Sequence, residues 1–305
     1  MKVLITGSHG FVGRAFRRAL PYAQLTLVDL KNGTDCRDFF KLETKKYDLV
    51  IHLAAIVGGR QQIENQPLSL AVDLAIDAEF ANWCMVTEQP YVVYFSSSAA
   101  YPTELQTLNK KHKLKEKDLN FKKIGAPDMS YGWAKLTGEM LMSYLREMGT
   151  QVLVLRPFSG YGTDQDLTYP FPSIMQRAIL NSNPFDIWGR STTTRDFIHI
   201  DDVVDAVITM VQNNCNQTVN LCTGRPTTFL ELSQIALKTL GITKMPRFNI
   251  LSDQPAGVAY RVGNPTMMSD YYTPKITLEE GVHRAISGVL LFTISSWQSN
   301  AKAKR

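Results

Sequence analysis

The sequence predicts an α/β fold, a doubly wound parallel sheet with a smaller C-terminal lobe, and three observations lead there. Short apolar segments rich in β-branched residues alternate with segments of helical periodicity as far as Pro157. A glycine-spaced turn, TGSHGFVG, joins the first strand to the first helix. After Pro157 the alternation gives way to a stretch rich in proline and aromatic residues, as expected where a second lobe leaves the sheet.

The strand KVLIT (2–6) ends in glycines, and Phe11, Val12, Ala15, Phe16 and Ala19 then recur at helical spacing. Strands follow over 25–30, 48–55, 91–98 and 151–157, with helices over about 70–87 and 131–148. Strands that are apolar on both faces and separated by helices indicate a parallel sheet covered on both sides, a Rossmann-type arrangement. Beyond Pro157 a helix is expected near 173–181. DFIHIDD (196–202) and TVNLC (218–222) read as returns to the sheet, and a last helix is expected near 229–240. The expected division is therefore 1–158 plus 196–224 for the sheet-bearing unit, and 159–195 plus 225–305 for the second lobe. The tail from Ser287 loses helical periodicity, and its end is expected to be poorly ordered.

Composition excludes several classes. With 44% hydrophobic and 20% charged residues the chain reads as an ordinary globular protein, and its net charge of +5 is scattered. The densest basic run, Lys110 to Lys123, also carries Glu116 and Asp118, so it reads as a solvated loop and no nucleic-acid partner is expected. No apolar run reaches the ~18 residues of a membrane span. Cys36, Cys84, Cys215 and Cys222 lack metal-ligand spacing, so free thiols, a cytoplasmic location and no metal are expected.

Gly7, Gly10 and Gly13 sit between a strand and a helix, where glycine permits the turn, the approach of a pyrophosphate and close helix packing. Asp29, 16 residues beyond Gly13, can accept hydrogen bonds from ribose hydroxyls and would repel a 2′-phosphate, which favours NAD over NADP. Lys31, two residues on, is a cation that would soften that preference. Tyr131 and Lys135 stand four apart on one helix face. A phenol with an unperturbed pKa of ~10 is a poor base. A neighbouring ammonium favours its phenolate and makes the pair a usable acid/base. Asp201 and Asp202 end a strand before a helix expected near Val203, so they read as N-caps, and His52 and His199 read as core residues.

Through TGSHGFVG, VDL, HLAA, FSSSAAY, YGWAK, LRP, RDFIHIDDVVDA and NLCTG, the chain resembles extended short-chain dehydrogenases/reductases that act on nucleotide-linked sugars. HLAAIVGG, the SS…YP frame and DQPAGVAYR are similar to the GDP-fucose synthase and GDP-mannose 3,5-epimerase branch. The resemblance implies a catalytic set of Ser97, Tyr131 and Lys135, with Ser98 the alternative hydroxyl. It implies an NAD site of Gly7, His9, Gly10, Phe11, Val12, Gly13, Asp29, Leu30, Asp35, Cys36, Leu53, Ala54, Ala55, Phe95, Tyr131, Lys135 and Phe158. It also implies a nucleotide-diphosphate-sugar site of Val57, Gly58, Ser97, Ser98, Ser159, Arg195 and Arg261, and a homodimer formed through the 70–87 helix and the Tyr131 helix.

Departures from the family's patterns narrow the reaction. Ala99 stands where 3,5-epimerases keep a cysteine, Tyr169 falls near their second base, and Ser98-Ala99 replaces the acidic residue of 4,6-dehydratases. Ser159 stands at a position often held by asparagine. The expectation is an NAD-retaining epimerase that oxidises C4 transiently, with Tyr131 as general acid/base. The alternatives are a GDP-sugar 3,5-epimerase, a net reductase or 4,6-dehydratase, and, from another class, a non-catalytic NAD-binding scaffold.

Overall fold

The computed structural model describes residues 1–58, 60–254 and 257–288. The expected disorder at the end of the tail falls on 289–305, outside the described residues. Strand β1 (Lys2–Thr6) turns through Gly7 to Gly10 into α1 (Phe11–Ala19), and β2 (Gln24–Val28) is followed by a 3-10 turn (Leu30–Asn32) and α2 (Cys36–Leu42). Next come β3 (Leu49–His52), α3 (Arg60–Asn65), α4 (Ser69–Val86), β4 (Tyr91–Phe95) and a 3-10 turn over Ser98–Ala100. After β5 (Lys113–Leu114), helix α5 (Met129–Glu147) leads into β6 (Gln151–Pro157).

The remaining elements are β7 (Ser159–Tyr161), α6 (Pro170–Ile179), β8 (Phe185–Trp188), β9 (Thr194–Arg195), β10 (Phe197–His199) and α7 (Ile200–Gln212). They are followed by β11 (Thr218–Leu221), β12 (Thr227–Thr228), α8 (Phe229–Thr239), β13 (Phe248–Leu251), β14 (Tyr260–Gly263) and α9 (Thr266–Ser269), then a helix over 278–288.

The central sheet has the order β11-β6-β4-β3-β1-β2, and every pairing in it is parallel. Alternation along the strands divides the core. Val3, Ile5, Ile51, Val93 and Leu155 pack under α1 and α7 with Phe16 and Val207, whereas Leu4, Val50, Val92 and Val154 pack under α2, α4 and α5 with Phe40, Phe80 and Met142. A third cluster, built on Phe171, Phe185, Phe197 and Leu232, lies under α6, α8 and the 278–288 helix. From β1 the chain runs to β2 on one side and then to β3 on the other. The order therefore reverses beside β1 and opens a crevice at the carboxyl ends of β1 and β3.

Two expectations are corrected. TVNLC joins the sheet as β11, but the strand of DFIHIDD pairs only with β7, in a separate two-stranded ribbon. Asp196, just before β10, is fully buried and accepts hydrogen bonds from the Thr223, Gly224 and Gly263 N–H groups, which pins this segment to the 222–224 turn and to β14. The residue capping α7 is His199, whose Nδ1 accepts the Asp201 N–H at 3.2 Å, because the helix begins at Ile200, earlier than expected. Asp202 is buried instead and accepts from Tyr272 Oη and from the Lys275 and Ile276 N–H groups, anchoring the C-terminal segment.

α4 and α5 approach closely at Gly138, where a Cβ would overlap the Tyr94 hydroxyl and Asp77 Oδ2. Gly138→Ala is expected to cost about 1–3 kcal/mol by overpacking. Urea unfolding at neutral pH checks this, with the change read as a lower midpoint at unchanged slope.

Candidate active site

The crevice is built first by glycine. Gly7 has φ +67°, and a Cβ there would lie 2.8 Å from Ala54 N and from the Leu53 carbonyl carbon, so the turn after β1 packs directly on the end of β3. Gly10 caps α1 without a side-chain bond, the first turn of α1 has no acidic residue, and a Cβ on Gly10 would meet only the Gly7 carbonyl, at 3.2 Å. This leaves the first N–H groups and the positive end of α1 facing open space, an arrangement suited to a pyrophosphate. Asp29 accepts the His9 N–H at 2.8 Å and the Lys31 N–H at 2.8 Å, which holds its carboxylate at the rim of the same crevice. The residues present therefore fit NAD.

The other residues expected around the cofactor divide by position. Leu53 and Ala54 form the floor under Gly7, Ala55 is half-buried beside them, and Phe158 lines the adjoining cavity. Phe11 packs beside Gly162, and Val12 against the core under α1. Asp35 caps α2 and pairs with Arg37, and Leu30 is exposed. The Cys36 thiol is pushed up to about 12, chiefly by burial. The Phe95 ring is turned into the core, edge-on to Phe16.

A cavity of about 780 Å³ is lined by Gly58, Ser97, Ser98, Ala99, Asp128, Tyr131, Tyr169, Arg195 and Arg261 among others. β4 delivers the serines to its floor. Ser96 is turned away and hydrogen-bonds Glu139, Ser97 begins the 3-10 turn and accepts the Ala99 N–H at 3.0 Å, and Ser98 lies within that turn. A Cβ on Gly132 would meet the Ala99 carbonyl oxygen at 2.5 Å, so α5 presses against this turn and brings Tyr131 to Ser97. Desolvation, with Asp73 and Asp77 adding to it, raises the Tyr131 phenol above its ordinary range, and a hydrogen bond with Ser97 works the other way. Lys135 Nζ is buried 5.9 Å from the Tyr131 ring centre and 5.2 Å from that of Tyr94. Burial and the neighbouring Tyr131 also raise the phenol of Tyr169.

At the other end three guanidiniums converge. Arg195 donates to the Thr194 and Val258 carbonyls at 2.8 Å each, and burial together with Arg261 pulls it down to about 9. Arg261 donates to Asp128 Oδ2 at 2.7 Å, and Arg60 reaches the same carboxylate at 3.1 Å. Burial alone would raise Asp128, but Arg261 and Arg60 hold it below the usual carboxylate range. Ser159 lines the cavity and Val57 is exposed beside it.

Arg60, Asp128, Asp73 and Asp77 were not anticipated. Arg60 and Asp128 meet across 68 residues of chain, so no local pattern reveals them. Asp73 and Asp77 did leave a signal, two carboxylates four apart in the apolar run LAVDLAIDAEF. Among the described residues no cluster of three or more His, Cys, Asp or Glu could hold a metal, and no helix is long and apolar enough to cross a membrane.

A family model described as NAD dependent epimerase/dehydratase matches residues 3–222. A dTDP-4-dehydro-6-deoxy-D-allose reductase of Streptomyces bikiniensis is 26% identical over 303 residues, covering 88% of this chain and 89% of the relative. A putative GDP-L-fucose synthase of Arabidopsis thaliana is 25% identical over 301 residues, covering 92% and 89%. Among solved structures, the UDP-glucose 4-epimerase of Thermus thermophilus in complex with NAD superimposes with a TM-score of 0.79 at 20% identity, covering 94% of this chain and 98% of that one. Asp29→Asn keeps the acceptor for His9 but removes the charge. It is expected to raise the NAD Kd about tenfold or more, since a hydrogen bond to a charged group is worth about 1.5–3 kcal/mol. Calorimetry with NAD and NADP checks this, with the gap between the two cofactors expected to narrow.

Proposed function

Because the chain belongs to the NAD-dependent epimerase/dehydratase family, we propose that it transfers hydride at C4 of a nucleotide-diphosphate sugar, reducing a 4-keto hexose while Tyr131 supplies the proton. One observation carries this reading. The described titratable residues lining the cavity are Tyr131, Tyr169, Asp128 and arginines, with no histidine, cysteine, lysine or glutamate among them. A 3,5-epimerase needs further groups to take and return protons at carbon, and a 4,6-dehydratase needs an acid to expel water. Ala99 has no proton to exchange, the lining carboxylate Asp128 is paired with Arg60 and Arg261, and Tyr169 adds only one further phenol. Hydride transfer at C4 needs one proton-transfer group, and Tyr131 is held neutral, ready to donate.

When bound, the nicotinamide supplies the hydride. The Ser97 hydroxyl donates to the C4 carbonyl oxygen. As C4 gains hydride and its C=O becomes a C–O single bond, Tyr131 gives its proton to that oxygen, and the resulting phenolate is stabilised by Lys135 before solvent reprotonates it. Arg195 and Arg261 bind the diphosphate, for which a guanidinium fork is well shaped. In this reading residues 1–158 plus 196–224 hold NAD and 159–195 plus 225–305 hold the sugar nucleotide.

Exposed Val86, Trp133, Tyr144 and Met148 on and beside α4 and α5 support a homodimer through those helices, and four buried free thiols support a cytoplasmic setting. A second reading, 4-epimerisation with retained NAD, runs the same step backward and then forward. The cavity lining is compatible with it, since both directions use the same proton-transfer group, Tyr131.

A panel of UDP-, GDP-, CDP- and dTDP-linked 4-keto and 4-hydroxy hexoses, followed at the reduced-nicotinamide absorbance, separates the readings. Stoichiometric NADH consumption is expected, whereas interconversion without consumption would establish the epimerase. Binding of NAD with no binding of any sugar nucleotide would sink both in favour of a scaffold. Tyr131→Phe is expected to lower turnover by about 10²- to 10⁴-fold with the NAD Kd unchanged.

A further inference from the structure

Helix α4 carries two carboxylates that the proposed reaction does not use. Asp73 and Asp77 are one turn apart on α4 and both buried; Asp77 meets α5 at Gly138, and α5 carries Tyr131 and Lys135, also one turn apart. Gly138 permits this close approach. The two carboxylates are held differently. Asp77 accepts from Tyr94 Oη at 2.6 Å and from His52 Nε2 at 3.3 Å. His52 is stacked on Phe80, with its Nδ1 2.8 Å from Thr6 Oγ1. Burial would raise Asp77, but the His52 bond and the Lys135 charge hold it low, while burial lowers His52 and keeps it neutral. Asp73 Oδ1 accepts the Ile56 N–H at 2.6 Å, which ties it to the loop that carries Val57 and Gly58.

One ammonium balances one buried carboxylate, and a second carboxylate beside it is where a proton most readily resides. We propose that Asp73 is a positioning residue whose gain or loss of a proton sets how much of the Lys135 charge reaches Tyr131, and so whether the tyrosine is held as a proton donor or an acceptor. This rests on the reading of Tyr131 as the proton-transfer group. The groups around Asp73 are Asp77 on its own helix, Tyr131 and Lys135 from α5, and, through Asp77, His52 from β3 and Tyr94 from β4. Burial pushes Asp73 up to about 6, with Asp77 adding to it and the Ile56 bond and Lys135 opposing. Above that midpoint Asp73 is negative and opposes the Tyr131 phenolate, which favours the donor; below it Asp73 is neutral and the phenolate forms more easily. The coupling is reciprocal, so each group reports on the other.

Two spectroscopic titrations of the NAD-bound protein test this without any sugar substrate. Infrared difference spectra across neutral pH should show a carboxylic acid carbonyl band titrating near 6 in the wild type and in Tyr131→Phe, and absent in Asp73→Asn, which keeps an acceptor for the Ile56 N–H. Lys135→Met should move that band to higher pH. The ultraviolet phenolate signal assigned to Tyr131 by subtracting Tyr131→Phe should appear about one pH unit lower in Asp73→Asn, a tenfold change in the phenolate ratio. Unaltered NAD affinity in Asp73→Asn shows that the site is folded; if that variant does not fold, the Lys135→Met shift decides. A missing band, a band unmoved by Lys135→Met, or a Tyr131 midpoint unchanged in Asp73→Asn overturns the proposal. A protein inactive on every sugar nucleotide leaves these readings intact.

Discussion

Arg156 and Glu139 meet between β6 and α5 through two parallel hydrogen bonds, Nε to Oε1 at 2.9 Å and Nη2 to Oε2 at 2.6 Å, with both side chains out of solvent. A buried pair of this kind is tolerated when its remaining valences are satisfied, and removal of one partner costs about 3–5 kcal/mol. Here they are satisfied by the residues that carry the site. Glu139 also accepts the Ser96 hydroxyl, while Arg156 Nη1 donates to Tyr101 Oη at 3.0 Å and to the Glu116 carbonyl at 2.9 Å. Tyr101 passes the constraint to Asn220 at 2.7 Å, next to the end of β11. Ser96 and Tyr101 bracket the turn that holds Ser97, and Glu139 lies two turns along α5 from Tyr131. The ion pair therefore sets the separation of the serine and the tyrosine from below.

Above that base, the site separates two kinds of charge. Around Tyr131 a single ammonium works among buried carboxylates, where low dielectric makes small changes in protonation costly. At the far end Asp128 draws Arg60 and Arg261 together. Those residues come from α3, β14 and the approach to α5, so three parts of the chain meet in one contact over the cavity. Met129, next to Asp128, has φ +62°, a left-handed conformation uncommon for a side chain of its size. The start of the helix that carries Tyr131 is thus held by its ion pairs and by packing against the Ala99 turn, in spite of local backbone preference.

What the sequence made legible was local. The glycine turn, Asp29, the Tyr131–Lys135 spacing and the strand–helix alternation each occupy a short window in which residue type and geometry are directly coupled. Long-range relations were not legible. Whether the strand of DFIHIDD joins the main sheet depends on where Asp196 finds its donors, 27 and 67 residues away. Asp202 resembled a cap by position and is instead an anchor for residues 272–276, because the helix starts earlier. Among the serines, the buried ion pair takes Ser96, leaving Ser97 and Ser98 at the cavity, with Ser97 the one that acts on the Tyr131 phenol.

The arginine cluster also has a consequence for selectivity, which follows from the repulsion of like charges. Burial pulls the Arg195 guanidinium down to about 9, with repulsion from Arg261 and Arg60 adding to it and Asp128 working the other way. That repulsion is a cost built into the fold, and an anion lying between the guanidiniums removes it. The relief grows with the charge the anion brings, so a diphosphate diester with two negative charges gains more from it than a phosphodiester with one, and a neutral sugar gains nothing. The same relief returns to the protein as resistance to unfolding in the complex, because a ligand that binds only the folded chain stabilises it. The arginine cluster thus weighs anions by their charge.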